Sequence, residues 1–340
     1  MKLKRRNFLQ VIAGATAVTA IGSCANVVSE KVVSETNSNF KEITIGYWPN
    51  AAALPLFVAL EKGFFKKVGL DAKTMKLGNP QQAVEAILAD RIDATPTGLP
   101  AINLILGEVA SPDLFKIIAL NGSNSKHVLD QFIVAINSPV KKISELEGKK
   151  IAILPSVQFE VLGKAILKSN GIQDSQLVKL PLPQHIPAIQ SAEVDAAFTI
   201  EPFPTVGKAK GITRTIETGV IAKYVLNDPN ALWFGGAGTL STRFIKSNPE
   251  AAKRYIEAFR LAIKSINDNP DEARQFIAKY VEIDENIAKL IPLPEYKLYE
   301  SMSASDVEYF QKFVDLYSDN KVLTRRIDVT KLLLKQSDLG

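Results

Sequence analysis

The sequence is poor in the residues on which thiol chemistry and most zinc sites depend. Its 340 residues include one cysteine, Cys24, and two histidines, His127 and His185. A single cysteine excludes a disulfide within the chain. So few soft ligands also argue against zinc, which takes three or four Cys, His or carboxylate ligands. We therefore expect no metal, no cofactor and no catalytic residues.

An excess of basic charge is present only at the N-terminus. The formal net charge is +5. Four of the 41 basic residues fall within the first six positions, and the other 37 stand against 36 acidic residues. The rest of the chain is therefore close to neutral and has no basic block, so a nucleic-acid partner is not expected.

The N-terminus has the composition of an export signal. Residues 1–23 combine a basic start with a modestly apolar run, which is typical of such signals. The motif RRNFL at residues 5–9 looks like a twin-arginine signal. The alternative is an uncleaved membrane anchor, because the 23 uncharged residues between Arg6 and Glu30 could just span a bilayer.

Cys24 follows this segment in a lipobox-like context, Ile21-Gly22-Ser23-Cys24. Lipid attached to the Cys24 sulfur would hold the protein in the periplasm or at the outer face of the cytoplasmic membrane, firmly if two or more acyl chains are added. Residues 24–40 are polar and lack periodicity, and we interpret them as a flexible tether.

From Ile43 onward, short β-branched strands alternate with amphipathic helices, and the series restarts near residue 131. This alternation predicts an α/β fold with an open, mostly parallel sheet covered by helices. The restart indicates two lobes joined by crossing strands near residues 126–132 and 230–240. The C-terminal third reads as almost all helical, with a break at residues 268–270, and could pack against the first lobe.

Four segments in order resemble one family. They are IGY with LPLFVALEKGFFKKVGLDAK at residues 45–73, EGKKIAI at 147–153, AEVDAAFTIEPF at 192–203 and FIKSNPEAAKRYIEAFRLAI at 244–263. From about residue 43 to 320 the chain resembles the solute-binding proteins of nitrate, sulfonate, taurine and bicarbonate ABC importers. The thiamine-precursor binders are similar.

The resemblance implies a type II periplasmic-binding-protein fold, in which two Rossmann-like lobes close around a ligand by a hinge. It implies lobe I at residues 41–129 and 236–340, with the C-terminal helices, and lobe II at 130–235. The expected partners are an ABC permease with its ATPase, a small-molecule ligand and the membrane.

Ligands of open α/β sheets bind beyond the carboxyl ends of the strands, which selects two turns in lobe I. The first contains Tyr47, Trp48, Asn50 and Ala53, where the two aromatic residues could instead pack the hinge. The second contains Thr97 and Gly98 and could be an ordinary loop. Relatives often carry an acidic residue where this chain has Leu99, and this disfavours an amine ligand.

Two further turns are selected in lobe II. In Ser156-Val157-Gln158, the serine would cap a helix whose free N–H groups could bind an anion. Members of the family often have the sequence KGS at this position. This chain has Leu154-Pro155-Ser156, which keeps the serine but lacks the lysine and the glycine. Glu201 could accept an N–H from a heterocycle or serve a structural role, beside Thr199 and Ile200 where relatives often have Trp.

His185 could also face the cleft, although a packing or surface role is the alternative. The leading functional hypothesis is an extracytoplasmic lipoprotein that captures a small organic or inorganic anion, of the sulfonate, nitrate or taurine kind, for a permease. The alternatives are a binder of a thiamine-precursor pyrimidine or a flavin, and a ligand-sensing module. An enzyme on the same fold is disfavoured.

Overall fold

The computed structural model describes residues 41–340. The expected export signal at residues 1–23, the lipid attachment at Cys24 and the tether at residues 24–40 lie outside the described residues.

The strands are short and are distributed along most of the described chain. They are β1 (Lys41–Tyr47), β2 (Leu70–Lys76), β3 (Ala94–Pro100), β4 (Phe115–Ser123), β5 (Asp130–Ala135), β6 (Lys150–Ile153), β7 (Gln176–Lys179), β8 (Ala196–Ile200), β9 (Thr213–Thr218), β10 (Trp233–Ser241) and β11 (Glu295–Leu298).

The helices alternate with the strands and dominate the C-terminal third. They are α1 (Leu54–Glu61), α2 (Phe64–Lys67), α3 (Gln81–Leu88), α4 (Ala101–Ala110), α5 (Val157–Ser169), α6 (His185–Gln190), α7 (Phe203–Ala209), α8 (Val220–Tyr224), α9 (Thr242–Ser247), α10 (Pro249–Asp268), α11 (Pro270–Val281), α12 (Glu285–Ala288) and α13 (Ala304–Asp319).

The strands form two sheets. Sheet A has the order β11-β4-β10-β3-β1-β2, and sheet B has the order β7-β6-β8-β5-β9. The chain passes from sheet A to sheet B between β4 and β5, and it returns between β9 and β10. Residues 124–129 and 219–232 therefore connect the two sheets.

The expectation of a mostly parallel sheet is wrong, because both sheets are mixed. β1 pairs in parallel with β2 and β3, and β6 with β7 and β8. These pairs are linked by helical crossovers, which return the chain in the same direction. β10 and β5 instead enter from the other sheet, and each is antiparallel to both of its neighbours.

The C-terminal helices pack against sheet A and the helices of its first strands, as expected. Buried Tyr255 of α10 stacks on Phe65 of α2, with ring centroids 5.9 Å apart, and its hydroxyl donates to the Thr95 carbonyl at 3.3 Å. The predicted break before α11 is confirmed, since Asn269 separates the two helices and its side chain caps α11 by accepting from the Glu272 N–H.

α13 packs on strand β10, the strand with which the chain returns to sheet A. The ring of Phe313 meets buried Trp233 edge-on, with centroids 5.8 Å apart. Within residues 41–340, no helix is both long enough and apolar enough to cross a bilayer.

Candidate binding cleft

Two cavities lie side by side where the strand ends of the two sheets meet. The inner one has a volume of about 20 Å³, which is room for about one water molecule. Its lining comes from both halves of the fold and includes part of β10 in sheet A. The lining residues are Trp48, Asn50, Ala52, Gly98, Pro100, Asn121, Leu129, Gln158, Phe159, Ile200, Trp233, Gly235 and Gly236.

The outer cavity is much larger. Its volume is about 470 Å³, within the range of about 300–1,000 Å³ usual for small-molecule sites. Trp48 borders both cavities. The remaining outer lining is mostly apolar and includes five prolines: Pro49, Lys76, Leu77, Gly78, Asn79, Pro80, Leu154, Pro155, Ser156, Pro181, Leu182, Pro183, Phe203, Val281 and Glu282.

The turn after β1 is held by the Asn50 side chain. Its Nδ2 donates to the carbonyls of Trp48 and Gly98 at 3.0 and 3.1 Å, and its Oδ1 accepts from the Ala52 N–H at 2.9 Å. These three bonds fix Trp48 at the boundary of the cavities. Because they occupy the amide, Asn50 shapes the site without offering a free polar group.

Tyr47 and Ala53 lie behind this turn. The Tyr47 ring packs edge-on against Phe57 and Tyr280, at centroid distances of 5.9 and 6.4 Å, and Ala53 is fully buried before α1. Neither residue is among those that line the two cavities.

The turn expected at Thr97 and Gly98 is wrong, because both residues lie within β3. The strand runs on to Pro100, where Leu99 and Pro100 pair with Ala237 and Gly236 of β10. The Thr97 hydroxyl donates to the Ala52 carbonyl at 2.6 Å, so it is turned towards the β1 loop. Gly98 has φ +92° and donates its N–H to Asn121 Oδ1 at 2.9 Å. A Cβ there would lie 2.7 Å from Asn50 Oδ1, which explains why the chain needs glycine at this contact.

The first turn of α5 is bonded to elements packed around sheet A. Gln158 Oε1 accepts from the Ile102 N–H of α4 at 3.1 Å, and Gln158 Nε2 donates to the Gly235 carbonyl of β10 at 2.9 Å. The Gln158 carbonyl accepts from the Tyr317 hydroxyl of α13 at 3.0 Å.

Ser156 adds a fourth bond between the start of α5 and the elements around sheet A, because its hydroxyl donates to Asn103 Oδ1 of α4 at 3.0 Å. The same hydroxyl accepts from the Gln158 N–H at 3.2 Å. Ser156 is thus the helix cap that the sequence predicts, and it also lines the outer cavity. Val157 points outward and is 40% exposed.

Glu201 lies behind the cavity wall in a buried polar network. Gln131 Nε2 donates to its carboxyl group, the Thr205 N–H donates to the second oxygen at 3.4 Å, and the Thr215 hydroxyl donates to Gln131 Oε1 at 2.7 Å. Burial raises the pKa of Glu201 to about 7. Its neighbours Ile200 and Phe203 line the inner and outer cavities, respectively.

His185 is fully buried at the start of α6. Its Nε2 lies 2.9 Å from the Leu180 carbonyl, at the start of the segment whose residues Pro181–Pro183 line that cavity. Burial lowers the pKa of His185 to about 4, so the ring is neutral at pH 7. The contact braces the wall and leaves the ring out of the cavity lining.

Several cleft residues were not anticipated from the sequence. Asn121 and Trp233 line the inner cavity, and the buried Trp233 Nε1–H has no hydrogen-bond partner among residues 41–340. The run Gly235-Gly236-Ala237-Gly238 on β10 was the available signal, because consecutive small residues in a strand permit close backbone approach.

The charges beside the outer cavity are paired. Lys76 Nζ lies 2.6 Å from Glu282 Oε1, and this hydrogen bond raises the pKa of the lysine and lowers that of the carboxyl group. Both side chains are at least half exposed. Within residues 41–340, no group of three or more His, Cys, Asp or Glu side chains could hold a metal ion.

Comparison with known proteins gives a family match over most of the chain. Residues 50–273 match the family described as NMT1/THI5 like. A Brucella abortus protein provisionally named as a binding protein is 25% identical over 290 residues, covering 83% of this chain and 80% of its own length. The nitrate/nitrite binding protein NrtA of Synechococcus elongatus is 26% identical, covering 82% of this chain and 70% of its own length.

One relative carries an ATP-binding name. The bicarbonate transport ATP-binding protein CmpC of Synechococcus elongatus is 22% identical over 286 residues. The match covers 75% of this chain and 41% of CmpC.

Solved structures confirm the expected two-lobed periplasmic-binding fold. The aliphatic sulphonate binding protein SsuA of Escherichia coli matches with a TM-score of 0.70 at 19% identity, covering 86% of this chain and 92% of that one. SsuA of Xanthomonas axonopodis pv. citri, bound to MOPS, matches with a TM-score of 0.69 at 17% identity, covering 86% and 98%. A cysteine-to-serine variant of DszB with biphenyl-2-sulfinic acid has a TM-score of 0.63 at 14% identity, covering 88% and 97%.

Proposed function

The chain belongs to the NMT1/THI5-like family, and we propose that it is the solute-binding component of an ABC importer. The observation that carries the proposal is the cavity of about 470 Å³ whose lining comes from both halves of the α/β fold. A solute held there contacts both sheets' loops at once, so its binding favours the closed arrangement, which a permease can distinguish from the open one.

We propose that each sheet is the core of one lobe, with lobe I at residues 41–129 and 236–340 and lobe II at 130–235. The sheet order supports these boundaries, because the chain leaves sheet A before β5 and returns to it at β10. The connecting segments would then form the hinge.

The leading hypothesis named a small organic or inorganic anion of the sulfonate, nitrate or taurine kind, and within it we propose an organic solute. The names of SsuA and NrtA support an anion. A heterocycle is the second candidate, because the flat side chains of Trp48 and Phe203 both line the outer cavity. The contacts that we propose are made by Trp48 and Ser156, while Asn50, Thr97 and Gly98 hold the loops in place.

We propose binding without chemistry on the solute. His185 is bonded to the Leu180 carbonyl and does not line either cavity, and the sequence has no cysteine after Cys24. Recovery of the solute after prolonged incubation tests this point. Mass spectrometry should find it unchanged, whereas a converted product would indicate an enzyme.

We also propose that the protein is exported and anchored through lipid on Cys24. Cys24→Ala should then leave the folded domain intact and move the protein from the membrane fraction to the soluble fraction. Immunoblots of fractionated cells measure this, with a Ser38→Ala variant as the control that keeps the anchor. Membrane retention of the Cys24→Ala protein would contradict the lipoprotein assignment.

The importer assignment is tested with the permease and ATPase reconstituted in vesicles. The solute-loaded protein should stimulate ATP hydrolysis above the rate seen with solute alone. A protein that binds its solute and leaves the ATPase unchanged would contradict the importer role and favour the ligand-sensing alternative.

A further inference from the structure

We infer that the solute is a ring-bearing organic molecule bound in the outer cavity, because Gln158 already fills the inner cleft. On this view most of the binding energy comes from the apolar body of the solute, and little comes from a charged head group. The inference rests on the proposed function and specifies its substrate class.

The inner cleft is occupied by part of the protein itself. Gln158 is 1% exposed, and its side-chain amide satisfies the Ile102 N–H and the Gly235 carbonyl, which lie on two different elements. The Ile102 N–H belongs to the first turn of α4, where backbone donors would otherwise be open to an anion. The side chain therefore takes the place that a small anion would need.

The space left beside Gln158 is too small for a solute. About 20 Å³ accommodates a single water-sized group. Trp233 also lines this space, and its Nε1–H is buried without a partner among the described residues. The body of any solute must remain in the outer cavity.

The outer cavity has two aromatic residues in its mostly apolar lining. Trp48 follows β1 of sheet A, and Phe203 opens α7 after β8 of sheet B, so each half of the fold contributes one of them. The five prolines of the lining are stiff at φ, so the walls lose little backbone entropy on binding. Aromatic contacts add to affinity beyond the gain from buried area.

The outer cavity also lacks a free cation among the described residues that line it. Its one lysine, Lys76, is paired with Glu282, and the remaining polar side chains are those of Asn79 and Ser156. A nitrate or bicarbonate ion would lose hydration there without a charged partner. A solute with a large apolar part gains binding free energy from burying that part, whether or not its head group is charged.

A series of probe compounds distinguishes the contribution of the apolar part of the solute to affinity from that of its head group. Nitrate, methanesulfonate, benzenesulfonate, 2-naphthalenesulfonate and neutral 2-naphthol are titrated into the full chain by calorimetry. We expect about a tenfold or greater gain in affinity from methanesulfonate to 2-naphthalenesulfonate, with 2-naphthol within about tenfold of the latter. Nitrate or methanesulfonate binding as tightly as the naphthalene compounds would overturn the inference and leave the proposed function standing.

Variants locate the bound probe. Trp48→Ala and Phe203→Ala should each weaken 2-naphthalenesulfonate binding about tenfold, whereas Leu290→Ala, an exposed apolar residue outside both linings, should not. Circular dichroism checks that each variant is folded. Wild-type affinity in both folded cavity variants, or failure of all five probes, would overturn the inference, while the ATPase assay judges the proposed function separately.

Gln158→Ala tests the filled inner cleft directly. Removing the amide frees the Ile102 N–H and enlarges the inner cavity, so methanesulfonate should bind the variant more tightly than the wild type. Unchanged or weaker methanesulfonate binding by a folded variant would contradict the role of Gln158.

Discussion

At the scale of single residues, the buried polar groups of the cleft hold its shape by saturating one another. Asn50, Thr97 and Gln158 are each at most 1% exposed, and each directs its side chain to backbone atoms of another segment. Such groups are costly to bury unpaired. Their pairing leaves Trp48 and Ser156 as the predicted site residues on the outer cavity.

Glu201 gives a prediction about pH. Burial raises its pKa from the ordinary 4.5 to about 7, so the folded state favours the protonated carboxyl group. Its stabilising contribution is full below pH 4.5 and is lost as the pH rises through 7. The wild type should therefore lose stability between pH 5 and pH 8, while Glu201→Gln, which cannot titrate at this position, should not. The difference in unfolding free energy between the two proteins should change in favour of the variant by on the order of 3 kcal/mol.

Urea unfolding of both proteins at the two pH values measures this difference. Glu308→Gln is the control, because the Glu308 side chain is 65% exposed and should give the wild-type profile. Parallel profiles for wild type and Glu201→Gln would show that the buried network does not hold a protonated Glu201.

At the scale of elements, the sequence predicted most of the helices and strands, because local patterns determine them. The alternation of apolar runs located β1 to β8 within a few residues, and Asn269-Pro270 located the break between α10 and α11. The strand directions were not predictable in this way. β5 and β10 arrive by crossing between sheets, and no local pattern records which neighbours a crossing strand will meet.

Gly98 on β3 gives a second prediction. Gly98→Ala combines the cost of a left-handed backbone at φ +92°, about 1–2 kcal/mol, with a steric clash, because the new Cβ would lie only 2.7 Å from Asn50 Oδ1. Gly148→Ala is the matched control, since Gly148 has φ +70° and open space around the new Cβ.

Both variants should lose stability, and Gly98→Ala should lose about 1–3 kcal/mol more. Chemical unfolding measures the difference. Equal losses in the two variants would mean that the Asn50 contact does not constrain residue 98.

At the scale of the whole molecule, the cleft depends on contacts between distant parts of the chain. Gln158 meets α4, β10 and α13, and the outer cavity combines segments from Trp48 to Glu282. The sequence indicated the turns after β1, β6 and β8, because they follow strand ends, but it placed a turn at Thr97 and Gly98 where β3 continues. It could not show which side chains would face a cavity, because that depends on how the two sheets approach each other.

Whether this cleft binds a small solute can be measured by a thermal-shift screen of the purified full chain. The compounds are inorganic anions, aliphatic and aromatic sulfonates, pyrimidines and flavins. A solute at about 100 times its dissociation constant should stabilise the fold by ~2.7 kcal/mol, which is a readily measured rise in Tm. We expect such a rise with at least one organic solute and a smaller rise with the same solute in Trp48→Ala, whereas an unchanged Tm across the whole set would show that the cleft binds none of these solutes.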